Sequence, residues 1–67
     1  MFKRNELMAE IVRQSSDVAT LAKEMGIDKV TLYRKMDGTS DFYLNEIEKI
    51  RSILKLNDED TLKIFFA

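Results

Sequence analysis

The chain contains no cysteine, no histidine and no proline, and only two of its 67 residues are glycine. Without cysteine there can be no disulfide staple, zinc knuckle or thiol nucleophile. Without histidine the commonest metal ligand and general base are missing. No apolar run approaches the roughly 18 residues of a membrane span, and the opening Met1-Phe2-Lys3-Arg4-Asn5 turns polar at once, unlike a signal peptide. These absences predict a cytoplasmic chain in a reducing compartment, with no membrane partner, no metal, no cofactor and no small-molecule substrate. Scattered carboxylates are all that remains for catalysis, so an enzyme is not expected. The lack of proline, the scarcity of glycine and the rarity of strand-like alternation predict an all-α chain.

What is present suffices for one small core. Hydrophobic residues make up 45% of the chain and charged residues 34%, a balance unlike that of disordered segments. A single domain over residues 1–67 is expected. Eleven Lys and Arg against twelve Asp and Glu leave a net charge of -1, which argues against nonspecific attraction to nucleic acid. The distribution is uneven. Lys29, Arg34 and Lys35 stand in a window free of acids and give it +3, leaving -4 for the rest, with Asp58, Glu59 and Asp60 near the end.

Leu7, Met8, Ile11 and Val12 recur at helical spacing and predict an amphipathic helix over residues 5–14. Asp17 is a good N-cap for a second helix, with Val18, Leu21, Ala22 and Met25 as its inner stripe and Gly26 as its stop. Asp28 caps a third, residues 29–36, with Leu32 and Met36 inward. Gly38-Thr39-Ser40-Asp41 reads as a loop. Leu44, Ile47, Ile50, Ile53 and Leu54 form a fourth helix with Glu46, Lys49 and Ser52 outside. Asn57 and Asp60 resemble a capping box opening a fifth, with Leu62, Phe65 and Phe66 sharing its inner face and Ile64 turned away. Phe65 and Phe66 read more readily as core than as interface. Five helices with short connections predict a compact bundle.

Residues 18–36 carry the functional signal. Two helices joined at a sharp corner need a small residue at Ala22 and the free φ of Gly26, with Ile27 and Leu32 plugging the angle: the physics of a helix-turn-helix. A plain helical corner uses the same devices. The outward residues of the third helix, Lys29, Val30, Tyr33 and Arg34, combine long donors, a methyl surface and an aromatic ring, which suits base edges and phosphates. Tyr33 could instead pack on the corner.

With Leu21-Ala22, Gly26, Ile27 and Leu32 in place, the chain from Asp17 onward resembles the small phage Cro and repressor-type regulators. The further run Leu32-Tyr33-Arg34-Lys35-Met36, then Gly38, Asp41-Phe42, Glu46-Ile47 and the closing Ile64-Phe65-Phe66-Ala67, is similar to short regulators of Gram-positive phages and prophages. The resemblance implies a five-helix bundle of the lambda repressor-like class, encoded by a bacterium, phage or prophage, that binds a double-stranded DNA operator. It makes Lys29, Val30, Thr31, Tyr33 and Arg34 contacts in the major groove. It places Val18, Thr39, Ser40, Tyr43 and Asn45 against phosphates, held by backbone N–H groups and small polar side chains, with Lys35 adding charge. Val18 departs from the glutamine frequent in the family, and Asp17 and Asp28 replace its usual Thr or Ser caps. Lys35 occupies a place often apolar there and is read as a snorkelling surface residue.

A weak homodimer, or pairing on DNA, is expected, since one copy reads too few base pairs. A radius of gyration of roughly 11 Å would let two copies place their third helices about one DNA turn apart. Ile64, on the fifth helix, is the expected contact. The alternative is a protein-interaction module on the same fold, an antitoxin or antirepressor docking through its acidic tail without binding DNA.

Overall fold

Apolar spacing and polar caps divide the chain into five helices: α1 (Arg4–Arg13), α2 (Val18–Met25), α3 (Lys29–Met36), α4 (Leu44–Leu54) and α5 (Asp58–Phe65). The computed structural model describes residues 2–66; Met1 and Ala67, the last residue of the closing run quoted above, lie outside the described residues. No strand occurs among the described residues, and none of their helices is long and apolar enough to cross a membrane. α2 packs against both α3 and α4, and α1 packs against α5. The radius of gyration is 10.6 Å.

One cluster of buried side chains joins all five helices, with Leu7, Ile11, Leu21, Leu32, Ile50 and Ile64 sealed most completely. The inner stripes of α2 and α3 are those that spacing predicts: Val18, Leu21, Ala22 and Met25 on one, Leu32 and Met36 on the other. Three other helices depart from expectation. Val12 is exposed near the end of α1, while Met8, one turn earlier, is half-buried against the core. Leu44 is exposed at the first position of α4, beside the loop, while Ile47, Ile50 and Leu54 carry the burial. α5 is rotated relative to the expected face: Thr61, Ile64 and Phe65 are buried, and Leu62 and Phe66 are exposed.

The rotation of α5 has identifiable causes. Lys3 N–H donates to Ile64 C=O at 2.6 Å, bringing the N-terminal segment across that position. Phe65 meets Phe2 and Phe42 at centroid separations of 5.5 and 5.4 Å, and those two rings stand 4.8 Å apart. Three aromatic rings from remote parts of the chain thus select the Ile64 and Phe65 side. Thr61 joins them at little cost because its hydroxyl donates to Asn57 C=O at 2.8 Å. Ile64, 2% exposed, therefore belongs to the core and is not a contact for a second copy.

Helix ends follow recurring rules. Asp17 accepts from Thr20 N–H at 2.7 Å, and Asn57 accepts from Asp60 N–H at 2.7 Å. Gly26, with φ of 78°, closes α2, and Ile27 N–H reaches back to Ala22 C=O at 3.0 Å. Gly38, with φ of 88°, closes α3 in the same way, Thr39 N–H meeting Arg34 C=O at 2.9 Å. At the ends of α1 and α4 the left-handed position is filled by Ser15 and Lys55.

Candidate nucleic-acid interface

The outward face of α3 follows from its inner one. With Leu32 and Met36 held in the core, residues 30 and 34 fall on the opposite side and residue 33 on the flank, while Lys29, three before Leu32, is exposed because it opens the helix. Lys29 and Arg34 are exposed, Val30 is 58% exposed and Tyr33 38% exposed, while Thr31 is half-buried at the edge. Neither Lys29 nor Arg34 forms an ion pair among the described residues. The helix therefore presents two uncommitted cations around a methyl-bearing and an aromatic side chain. Tyr33 retains contact with solvent and does not vanish into the corner.

The entry to α3 differs from expectation in one bond. Asp28 has the extended backbone of an N-cap, but its side chain makes no capping hydrogen bond, so its exposed carboxylate is not committed there. Asp17 does cap α2. The Thr20 backbone N–H, then the Thr20 side chain, then nearby Lys29 hold its carboxyl below the usual carboxylate range.

After α3 the chain runs through residues 37–43. Thr39 and Ser40 are exposed, and both of their N–H groups are spent on Arg34 C=O, at 2.9 and 3.3 Å. Tyr43, 66% exposed, gives its N–H to the Glu46 carboxylate at 2.8 Å. The expected backbone donors at these three positions are thus already used, and the hydroxyls remain. Asn45 is exposed on the first turn of α4.

Two of the residues expected at phosphates have buried side chains. Val18 is 3% exposed, its side chain packed in the core as part of the α2 stripe, so it offers almost no surface to a ligand. Lys35 does not snorkel. It is 7% exposed, and its ammonium lies 3.0 Å from Glu46 Oε1 and donates to Asp41 C=O at 3.0 Å. One of the three positive charges of the basic window is therefore neutralised inside the molecule. Glu46 was placed on the solvated side of α4 by spacing, yet its side chain is only 13% exposed. The available signal was a lysine three residues after Leu32, on the helix's inner side, with an acid just beyond the next loop.

The remaining residues fall into connected groups. Val30, Tyr33 and Arg34 share one exposed side of α3, with Lys29 at its start; Thr39 and Ser40 are tied to Arg34 through its carbonyl; Tyr43 lies against Lys35, its ring centroid 4.7 Å from Nζ. Comparison with protein-family models, with curated proteins and with solved structures finds no match for this chain.

Proposed function

We propose that this chain is a sequence-specific DNA-binding regulator of the Cro and repressor type, in which α2, the turn at Gly26 and α3 act as a helix-turn-helix and α3 enters the major groove. The observation that carries this reading is the outward face of α3, where Lys29 and Arg34 form no ion pair among the described residues and flank exposed Val30 and Tyr33. The combination of apolar surface with two exposed cations on one short helix suits base edges together with phosphates. Arg34 can fork onto guanine O6 and N7, Lys29 can donate to the same edge, and Val30 can meet a thymine methyl. Thr31 borders these contacts. Asp28, with its carboxylate uncommitted, can accept from a cytosine amino group. The hydroxyls of Thr39, Ser40 and Tyr43 and the side chain of Asn45 supply phosphate contacts, which position the helix without reading sequence.

On this reading the protein performs no chemistry; it occupies an operator and excludes other proteins from it. Two copies pair on a two-fold site, since a body of 27 × 25 × 20 Å allows recognition helices about one DNA turn apart. Backbone amide NMR during titration with mixed short duplexes, at low and moderate salt, tests the assignment. Shifts concentrated at residues 29–34 and 39–45 are expected. Shifts absent there, or confined to α5, would overturn it and favour a protein-docking module.

A further inference from the structure

The buried cation of α3 has no part in the contacts above. A lysine ammonium taken out of water must have its donors met, because an unpaired buried charge is too costly to keep. At Lys35 the partners all come from the stretch that follows α3. Nζ meets Glu46 Oε1 at 3.0 Å and Asp41 C=O at 3.0 Å, and lies 4.7 Å from the Tyr43 ring centroid. The same Glu46 oxygen accepts the Tyr43 N–H at 2.8 Å.

The other end of this stretch is also fixed to α3. Gly38 turns left-handed, and the N–H groups of Thr39 and Ser40 converge on Arg34 C=O. Residues 37–43 are therefore fastened twice to one helix, by backbone bonds where they leave it and by a buried ammonium where they enter α4. Phe42 anchors the path of the chain in the aromatic cluster, but an aromatic contact leaves the polar edge free to turn. The ion pair is directional where apolar packing is not. Stability alone does not require it, because apolar residues of similar volume commonly serve as well as a buried pair.

We propose that Lys35 and Glu46 are positioning residues, which lock residues 39–43 to α3 so that the Thr39, Ser40 and Tyr43 hydroxyls meet the DNA backbone while α3 lies in the groove. This inference rests on the DNA-binding reading above. Neither residue touches DNA. Their effect is to order the phosphate-contacting edge before binding, so that this ordering does not weaken the complex.

The double variant Lys35→Met/Glu46→Leu separates this role from simple stabilisation. It removes one charge of each sign, so the net charge and the long-range attraction to DNA are kept. A melting temperature equal to or above that of the wild type is expected. Amide hydrogen exchange at residues 39, 40 and 43, whose N–H groups are bonded, should become about 10-fold faster, with the core of α1, α2 and α5 unchanged. Affinity for a duplex selected by the wild type should fall about 10-fold, with base preference and the log-log salt slope retained, because the contacts loosened are neutral hydroxyls and no cation leaves a phosphate. If the double variant does not fold, Glu46→Asp, which withdraws the carboxylate by one methylene, is read by the same measurements; Glu46→Gln, which keeps both hydrogen bonds, should hold most of the loop order. Unchanged exchange at residues 39, 40 and 43, faster exchange throughout the molecule, or a loosened loop with unchanged affinity would each overturn the inference. Failure of the wild type to bind any duplex is seen in a separate arm and would overturn the reading on which it rests.

Discussion

α3 and α5 are both eight-residue helices that expose apolar side chains, Val30 and Tyr33 on one, Leu62 and Phe66 on the other. They differ in the charge around that surface. α3 has no acid in its first turn and sets free Lys29 and Arg34 beside its apolar pair, whereas α5 begins with Asp58, Glu59 and Asp60. Those acids suit the positive end of the α5 dipole, and Asp58 also pairs with Arg51 while Lys63 pairs with Glu6. The charges of α5 are largely accounted for by the fold; the outward charges of α3 are not. Equal apolar exposure thus signifies different things, and a polyanion would be drawn to one helix and repelled by the other.

The sharpest break between the two helices comes from core substitutions on α5. Ile64→Glu should unfold the protein, at a cost of about 5 kcal/mol, because an unpaired carboxylate would enter a site that is 2% exposed. Leu62→Glu, two positions away and 57% exposed, should stay within about 0.5 kcal/mol of the wild type and leave binding to a selected duplex intact. Chemical denaturation with a paired binding assay reads both.

A smaller effect is expected at the turn that aims α3. Gly26→Val should cost about 2 kcal/mol and weaken DNA binding with it. An added Cβ meets nothing within 4 Å, so the cost comes from the backbone φ of 78° and not from a clash. An unchanged melting temperature would show that this turn tolerates a β-branched residue. On the α5 side, Lys55 holds a left-handed φ of 54° just after α4, and Lys55→Gly should stabilise by about 1 kcal/mol without altering binding.

The smallest effect concerns pH. The carboxyl of Asp17 is held low chiefly by the Thr20 N–H, so its contribution to stability is fully present above the ordinary carboxylate range. It is lost as pH falls through the depressed folded value. Asp17→Asn keeps the cap geometry and should remove this part of the acid-side decline, seen as a flatter profile of melting temperature below about pH 4. Equal profiles would show that the carboxylate charge is immaterial to the α2 cap.

The same pair of helices explains how much was legible in the sequence. In α2 and α3 the inner stripe, the Asp17 cap and the Gly26 turn constrain one another, and little room is left for a second solution. In α5 the sets Leu62, Phe65, Phe66 and Thr61, Ile64, Phe65 satisfy the same spacing. The choice was made by Lys3, Phe2 and Phe42, which spacing within the helix cannot report. The exposure of Val30 and Arg34 was readable because they lie opposite Leu32 and Met36 on α3. Lys35 was not, because whether a lysine at the edge of an apolar stripe snorkels or turns inward depends on Glu46, across a loop.

The most direct test of the central claim is to select a preferred duplex from a random pool with the wild type, then measure Arg34→Ala against every single-base-pair variant of it. A loss of about 1–3 kcal/mol on the selected duplex is predicted, with preference relaxed at one base pair of each half-site and melting temperature unchanged. A uniform loss across all sequences, or no loss at all, would contradict the claim that α3 reads bases.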